Sequence, residues 1–431
     1  MEGVEARDGL MLLAGLVDRV VWLDRSGFLP ASFGYPAPWL RHEAVSPLLR
    51  SAPSPRPAGS AAPPGTRRVA VAFAPEHGDH ATAWAEASGH RLLAADAVVT
   101  ARAADKIDAL ELFRAAGVAV PEHVVIPARE RRRAAAYWRP EWPAAVLQRR
   151  ENNLLGRGTV PVGGAGELAA ALRAWPGRVL KLSRLVPGLS LTVSACVGGD
   201  RTVVAAVSHQ LVGLPELTPH WGTHCGNQLV GPADLPEGVY ERVRRTAHSV
   251  GEVLRARGYR GVFGLDLLED GGDVLAVEVN PRFQTVSALV QAAEHAAGLL
   301  PSLGLHILAC LLPALPPGRL SRAPVPRPSQ LVLHAAGPLE ITAPPAAGRY
   351  RLDADGVAHG PDPDGPRPPA ALRPDEALWW PHAAPGKAGT GDELLLMQFG
   401  RPQCGTAPRP PLGTRARTWR DAALRALGVA A

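Results

Sequence analysis

Two runs decide how this chain is read. The first is Gly261-Val262-Phe263-Gly264-Leu265-Asp266; the second, beyond a turn at Asp270-Gly271-Gly272-Asp273, is Ala276-Val277-Glu278-Val279-Asn280-Pro281-Arg282-Phe283-Gln284-Thr285. Both have strand composition, and the glycine pair between them signals an antiparallel hairpin. Glu278 and Asn280 are separated by one residue, so on an extended strand their side chains leave the same face. Whether Asp266 shares that face depends on the turn. A two-residue turn at Gly271-Gly272 pairs Asp266 with Val277 and turns it away; a three-residue loop, Gly271 to Asp273, pairs it with Glu278. The sequence leaves both turns open. Two carboxylates and an amide oxygen on a rigid sheet are hard ligands, suited to Mg²⁺ held together with nucleotide phosphates. Arg282, just past Pro281, is placed to meet phosphate oxygens in the same site. A lone carboxylate on a hairpin is ordinarily solvated polarity. Here Asp, Glu, Asn and Arg converge within one unit flanked by aliphatic residues, and that outweighs the plainer reading.

The hairpin resembles that of the ATP-grasp superfamily, which carries an acidic residue on one strand and E-x-N-P-R on the next. The resemblance extends over about residues 100–315. It implies a multidomain α/β and α+β chain: a small Rossmann-like α/β domain, then an ATP-grasp fold of two α+β subdomains enclosing ATP. On that basis residues 1–120 are the N-terminal α/β domain, 121–319 the ATP-grasp domain and 320–431 a small β-rich C-terminal domain. ATP and Mg²⁺ are the implied cofactors. Asp266, Glu278 and Asn280 are the implied metal ligands, and Arg282 the contact to phosphate or an acyl intermediate.

Other landmarks of the family fall on particular residues. Asp105-Lys106, read as opening a helix from Asp105 to Ala116 before Gly117-Val118-Ala119-Val120-Pro121, looks like the family's D-K helix and places Lys106 on the phosphates. Asn152 to Thr159 stands where a flexible loop covers the phosphates, with Gly156, Gly158 and Thr159 as its contacts. The family has a lysine on the strand before that loop; this chain has Gln148. Lys181, on the next strand candidate, either supplies the missing charge or is an ordinary lysine snorkelling from a strand edge. The run Ser183-Arg184-Leu185-Val186-Pro187-Gly188 is similar to the hinge that holds adenine. Ser183 stands where an acid is common, and Ser190 where a ribose-binding glutamate is common, which leaves adenine mainly to backbone groups. His209, Gln210 and Asn227 are candidate substrate contacts, together with Gln284 and Thr285. His220, His224 and Cys225 have no further Cys or His ligand nearby, so a loop packed on Trp221 is preferred over a metal site.

The rest of the chain sets the frame. Its 431 residues allow two to four domains, and an apolar content of 46% is that of a folded protein. Only Lys106, Lys181 and Lys387 are lysines, so the formal charge of +6 is carried by scattered arginine. The Arg129 to Arg133 run, with Tyr137 and Trp138 nearby, reads as a solvated face, and no nucleic-acid partner is expected. The segment Ser51 to Thr66, rich in Pro, Ala and Ser, reads as an exposed loop, and Trp379-Trp380 as a packed corner or part of a pocket lid. Four scattered cysteines without a CxxC pair argue against disulfides or structural zinc. No basic-then-apolar leader and no long apolar span is present, which places the protein in the cytoplasm, away from membranes. The expected activity is ATP-dependent joining of a small-molecule carboxylate to an amine, on an amino acid or peptide in specialised metabolism, with a homodimer allowed. Two other readings stay open: phosphoryl transfer to an alcohol or guanidino group, and a non-catalytic ATP-binding module. P-loop, dinucleotide-binding and nucleophile-elbow motifs are absent from the sequence.

Overall fold

The computed structural model describes residues 1–24, 26–44, 67–75, 80–129, 134–151, 158–321, 326–365 and 367–429. The expected loop Ser51 to Thr66, Gly156 and most of the Arg129 to Arg133 run lie outside these.

Val17–Asp24 (β1), Leu40–Ala44 (β2), Arg67–Ala72 (β3) and Arg91–Leu92 (β4) form a parallel sheet in the order β2-β1-β3-β4. The unbroken apolar runs Val20 to Leu23 and Val69 to Ala72 suit parallel strands covered on both faces. The helix expected from Asp105 to Ala116 is broken. One helix, Ala97–Ala104, ends at Asp105, and a second runs Ala109–Ala115. Asp105 ends the first helix with an extended backbone, and its Oδ1 accepts from the N–H groups of Ile107 and Asp108 at 2.8 and 3.0 Å, which caps the turn between the two helices. Lys106 thus sits in the turn between them. Ala109, Leu112 and Phe113 pack with Val243, Ala247 and Val250, so these helices share their core with the region that follows.

Two α+β units come next. His123–Ile126 (β5), Ala145–Arg149 (β6), Thr159–Val162 (β7) and Leu180–Arg184 (β8) make an antiparallel sheet in the order β5-β8-β6-β7, covered by Leu168 and Leu172 of the helix Ala165–Ala174. Leu189–Val197 (β9), Thr202–Val212 (β10), His224–Val230 (β11), Gly261–Asp270 (β12) and Asp273–Asn280 (β13) make the second sheet, ordered β13-β12-β9-β10-β11. The helix Val239–Ala256 lays Val243, Ala247, Val250 and Leu254 across it, the three-and-four spacing of an amphipathic helix.

Ser329–His334 (β14), Gly348–Leu352 (β15), Ala358–His359 (β16), Glu376–Pro381 (β17) and Glu393–Phe399 (β18) are the strands of the C-terminal segment that extend this sheet. They do not close on themselves. β14 pairs with β11, Gly226 opposite Leu331, and a single sheet of ten strands runs β13-β12-β9-β10-β11-β14-β18-β17-β15-β16. Leu331, Leu395 and Met397 fill one face while Val332, Leu396 and Trp380 fill the other, which is why β14 and β18 are apolar without alternation. Trp379 is stacked on Tyr350 at 4.1 Å and meets Trp419 edge-on at 6.1 Å, so the tryptophan pair is a packed corner. Among the described residues no helix is long and apolar enough to cross a membrane.

Candidate active site

The hairpin pairs Asp266 with Glu278 and Gly264 with Asn280. Its turn is the two-residue Gly271-Gly272, with Asp270 opposite Asp273. Both glycines have positive φ, 59° and 95°, as a tight hairpin turn of this length demands. A three-residue loop is therefore not the device that sets the register. A β-bulge does it instead. Leu267 pairs with Ala276, the next pair is Asp266 with Glu278, and Val277 is the extra residue.

Around Asp266 the polar atoms are closely fitted. Thr192 Oγ1 donates to its Oδ1 at 2.7 Å, Asn280 Nδ2 to its Oδ2 at 3.0 Å, and Gln284 Nε2 to its Oδ1 at 3.5 Å. Arg282 donates to Asn280 Oδ1 at 3.1 Å and to the Phe283 carbonyl at 3.0 Å. Burial, then the neighbouring Glu278 charge, raises the Asp266 carboxyl above the usual carboxylate range. The Lys106 ammonium, 6% exposed, lies 3.0 Å from Glu278 Oε2. Two carboxylates that repel each other, beside an amide oxygen, form a donor set of hard oxygens that gains from a divalent cation. Among the described residues no group of three or more His, Cys, Asp or Glu is placed to hold a metal ion.

Lys181 and Gln148 lie side by side. The two residues are directly paired across β8 and β6, and β8 is an interior strand, not an edge. Lys181 is 4% exposed; burial, opposed by the Glu278 charge, brings its pKa down to about 8. Thr159 pairs with Gln148 from the other side. Gly158 (φ 91°) closes the connection, its carbonyl accepting from Arg149 N–H, but it is not among the described residues lining the cleft.

That cleft has a volume of about 1460 Å³. It collects Lys106, Gln148, Thr159, Lys181, Ser183, Arg184, Ser190, His209, Gln210, Asn227, Asp266, Glu278, Asn280, Arg282, Gln284 and Thr285. Ser190 Oγ donates to Gln210 Oε1 at 2.8 Å. His209 is buried, which pushes its pKa down to about 4, and its Nδ1 accepts from Gln228 Nε2 at 3.3 Å. Asn227 is turned to its neighbours, Oδ1 to His224 Nε2 at 2.7 Å and Nδ2 to Ser208 Oγ at 3.3 Å. Cys225 is fully buried and its thiol is pushed up to about 11, which leaves it protonated. None of the four cysteines is in a disulfide.

Several cleft residues were not singled out from sequence. Thr192 had a legible signal, because Ser190, Thr192 and Ser194 alternate with apolar residues along β9. Trp221 and His224, read from sequence as parts of a packed loop, line the cleft as well. Arg409 lies over the Trp221 ring at 5.5 Å with φ of 47°, a left-handed conformation rare outside glycine. His382 and Glu393 reach the cleft from the C-terminal segment.

An ATP-grasp domain family matches residues 103–286. The vancomycin B-type resistance protein VanB of Enterococcus faecalis is 32% identical over 254 residues, covering 55% of this chain and 72% of that protein. A D-alanine–D-alanine ligase of Methylorubrum extorquens is 27% identical over 219 residues, covering 46% of this chain and 65% of the relative. In fold, an L-amino acid ligase from Bacillus licheniformis superposes with a TM-score of 0.57 at 11% identity, over 89% of this chain and 93% of that one. The matched region contains the hairpin, the Lys106 turn and both α+β sheets, all arranged around one cleft. The chain belongs to the ATP-grasp superfamily, among its ATP-dependent carboxylate–amine ligases.

Proposed function

We propose that this ligase converts a substrate carboxylate to an acyl phosphate with ATP and passes the acyl group to an amine, the substrates being amino acids or a small peptide of specialised metabolism. The observation that carries the reading is the convergence of Asp266, Glu278, Asn280 and Arg282 on the cleft, with Lys106 placed against Glu278. The amino acid assignment draws on the names of the D-alanine–D-alanine ligase and L-amino acid ligase relatives.

In this reading Asp266, Glu278 and Asn280 hold Mg²⁺, which when bound offsets the charge on the phosphates. Arg282, Lys106 and Lys181 bind phosphoryl oxygens, with Lys181 standing in for the lysine that Gln148 replaces. Thr159 and Gly158 belong to the phosphate-covering connection, and Gly156 is assigned there from sequence. Ser183, Arg184 and Ser190 take the nucleoside end. His209, Gln210, Asn227, Gln284 and Thr285 shape the acceptor side. Positioning and fixed charge do the work, so no nucleophilic side chain is required.

The test is phosphate release from Mg-ATP across a panel of amino acids and small carboxylates, with mass spectrometry of the products. Free phosphate with a condensed product supports the ligase. ADP with a phosphorylated acceptor and no free phosphate contradicts it.

A further inference from the structure

The wall of the cleft contributed by the C-terminal segment carries a pair of side chains that phosphoryl transfer does not use. His382 follows β17 and Glu393 opens β18, neighbouring strands paired at Pro381 and Leu395. His382 Nδ1 donates to Glu393 Oε2 at 2.9 Å, and the His382 backbone N–H is tied to the Leu394 carbonyl at 3.0 Å. Both residues line the cleft, and the imidazole is 10% exposed. Glu393 is also faced by His334, its partner across β14, and by His224. Burial works against its ionisation, but the His382 hydrogen bond and the surrounding imidazoles prevail and hold its pKa at about 2. The carboxylate is a fixed anion that orients the ring. With Nδ1–H committed to Glu393, Nε2 is the nitrogen left to accept a proton.

The second half of the ligation needs such an acceptor. An α-amine has a pKa of about 8, so at neutral pH it is mostly ammonium, without a lone pair for attack. Lys106, Lys181 and Arg282 are the cations that bind phosphoryl oxygens in this reading. Of the other histidines on the cleft, His209 is pushed down to about 4 and is too weak a base, and His224 is held through Nε2 by the neutral Asn227 amide, with no carboxylate hydrogen-bonded to its ring among the described residues. His80, on the N-terminal domain, has no carboxylate partner among the described residues.

We infer that His382, oriented by Glu393, is the general base that takes a proton from the amine substrate. This rests on the ligase reading above. The ammonium gives one proton to His382 Nε2; its freed lone pair attacks the acyl carbon and forms the C–N bond. The C–O bond to phosphate breaks, with the electron pair leaving on phosphate. The second nitrogen proton goes to that phosphate, and His382 returns its own to water.

The experiment uses full-length wild type, His382→Gln, His382→Ala and Glu393→Gln with Mg-ATP and the amino acid panel, with and without hydroxylamine. Hydroxylamine is unprotonated at neutral pH and traps acyl phosphate as hydroxamate without help from a base. His382→Gln and His382→Ala are expected to lose about 100-fold or more in amide formation while hydroxamate formation persists. Glu393→Gln is expected to lower amide formation while hydroxamate formation persists, because the ring loses the carboxylate that orients it; a purely structural glutamate lowers both together. Amide formation that survives in both His382 variants overturns the proposal, as does parallel loss of amide and hydroxamate in both. Wild-type protein that forms neither product with any member contradicts the ligase reading itself, and the proposal with it.

Discussion

The Lys106 ammonium and the Glu278 carboxylate lie 3.0 Å apart, both largely buried, although one comes from a turn between two helices and the other from a bulged strand. The contact exists because Asp105 caps that turn and the Lys106 N–H is fixed to the Arg150 carbonyl at 2.8 Å. Lys181 is held close to the same carboxylate. Positive charge is therefore gathered on the hairpin from two separate elements.

Glu278→Gln keeps the shape of the side chain and removes its charge. The account expects turnover of Mg-ATP to fall about 100-fold or more, the scale of removing one electrostatic contact from a reacting centre. Thermal stability should fall as well, because the buried Lys106 ammonium keeps a hydrogen-bond acceptor but loses its charge partner. Steady-state phosphate release checks the first point and a melting curve the second.

Gly264 sits opposite Asn280, two positions before Asp266. A Cβ built there meets the Gln284 amide oxygen at 1.8 Å. Gly264→Ala must displace Gln284, which donates to Asp266. Lower turnover with near-normal stability is expected, since the displaced group is the end of a flexible side chain.

The hairpin turn separates backbone from site. Gly271 has φ of 59°, and a Cβ added to it would meet nothing within 4 Å, so Gly271→Val strains the backbone and touches no neighbour. The cost should be about 1–2 kcal/mol, read as a lower urea midpoint. ATP affinity should hold, because the register is set by the bulge at Val277.

Much of this was legible in the sequence, and the misses have physical reasons. Glu278, Asn280 and Arg282 could be read because strand alternation and a following proline fix their directions locally. The pairing of Asp266 with Glu278 that a shared face requires is present, but by a bulge and not by a longer turn; a bulge leaves no mark in composition. Lys106 was found by its neighbours, yet a helix start was expected where Asp105 acts as a stop and a cap. Lys181 could not be placed, because only the pairing of β8 with β6 shows that it stands beside Gln148. His382, Glu393 and Arg409 were beyond reach. Their approach to the cleft depends on the C-terminal strands joining the central sheet, a long-range pairing that no local pattern announces.

The far end of that sheet gives an acid-stability prediction. Glu376, 1% exposed, accepts from Arg349 at 3.0 Å and Arg373 at 2.9 Å. Burial opposes its charge, but the Arg373 backbone and side chain, then Arg349, prevail and hold its pKa at about 2. A depressed carboxylate stabilises the fold above its unfolded pKa, and that contribution fades as pH falls from about 4.5 towards 2. Glu376→Gln should cost about 3 kcal/mol at neutral pH and lose this part of the acid dependence. Urea unfolding at several pH values measures both.

The central claim is that a substrate carboxylate takes a phosphoryl group from ATP. It is tested most directly with an accepted amino acid whose carboxylate carries ¹⁸O, followed by mass analysis of the phosphate released. An acyl phosphate passes one carboxylate oxygen to phosphate when the amine displaces it, so the account predicts singly labelled inorganic phosphate. Unlabelled phosphate, or label appearing in AMP, would contradict it.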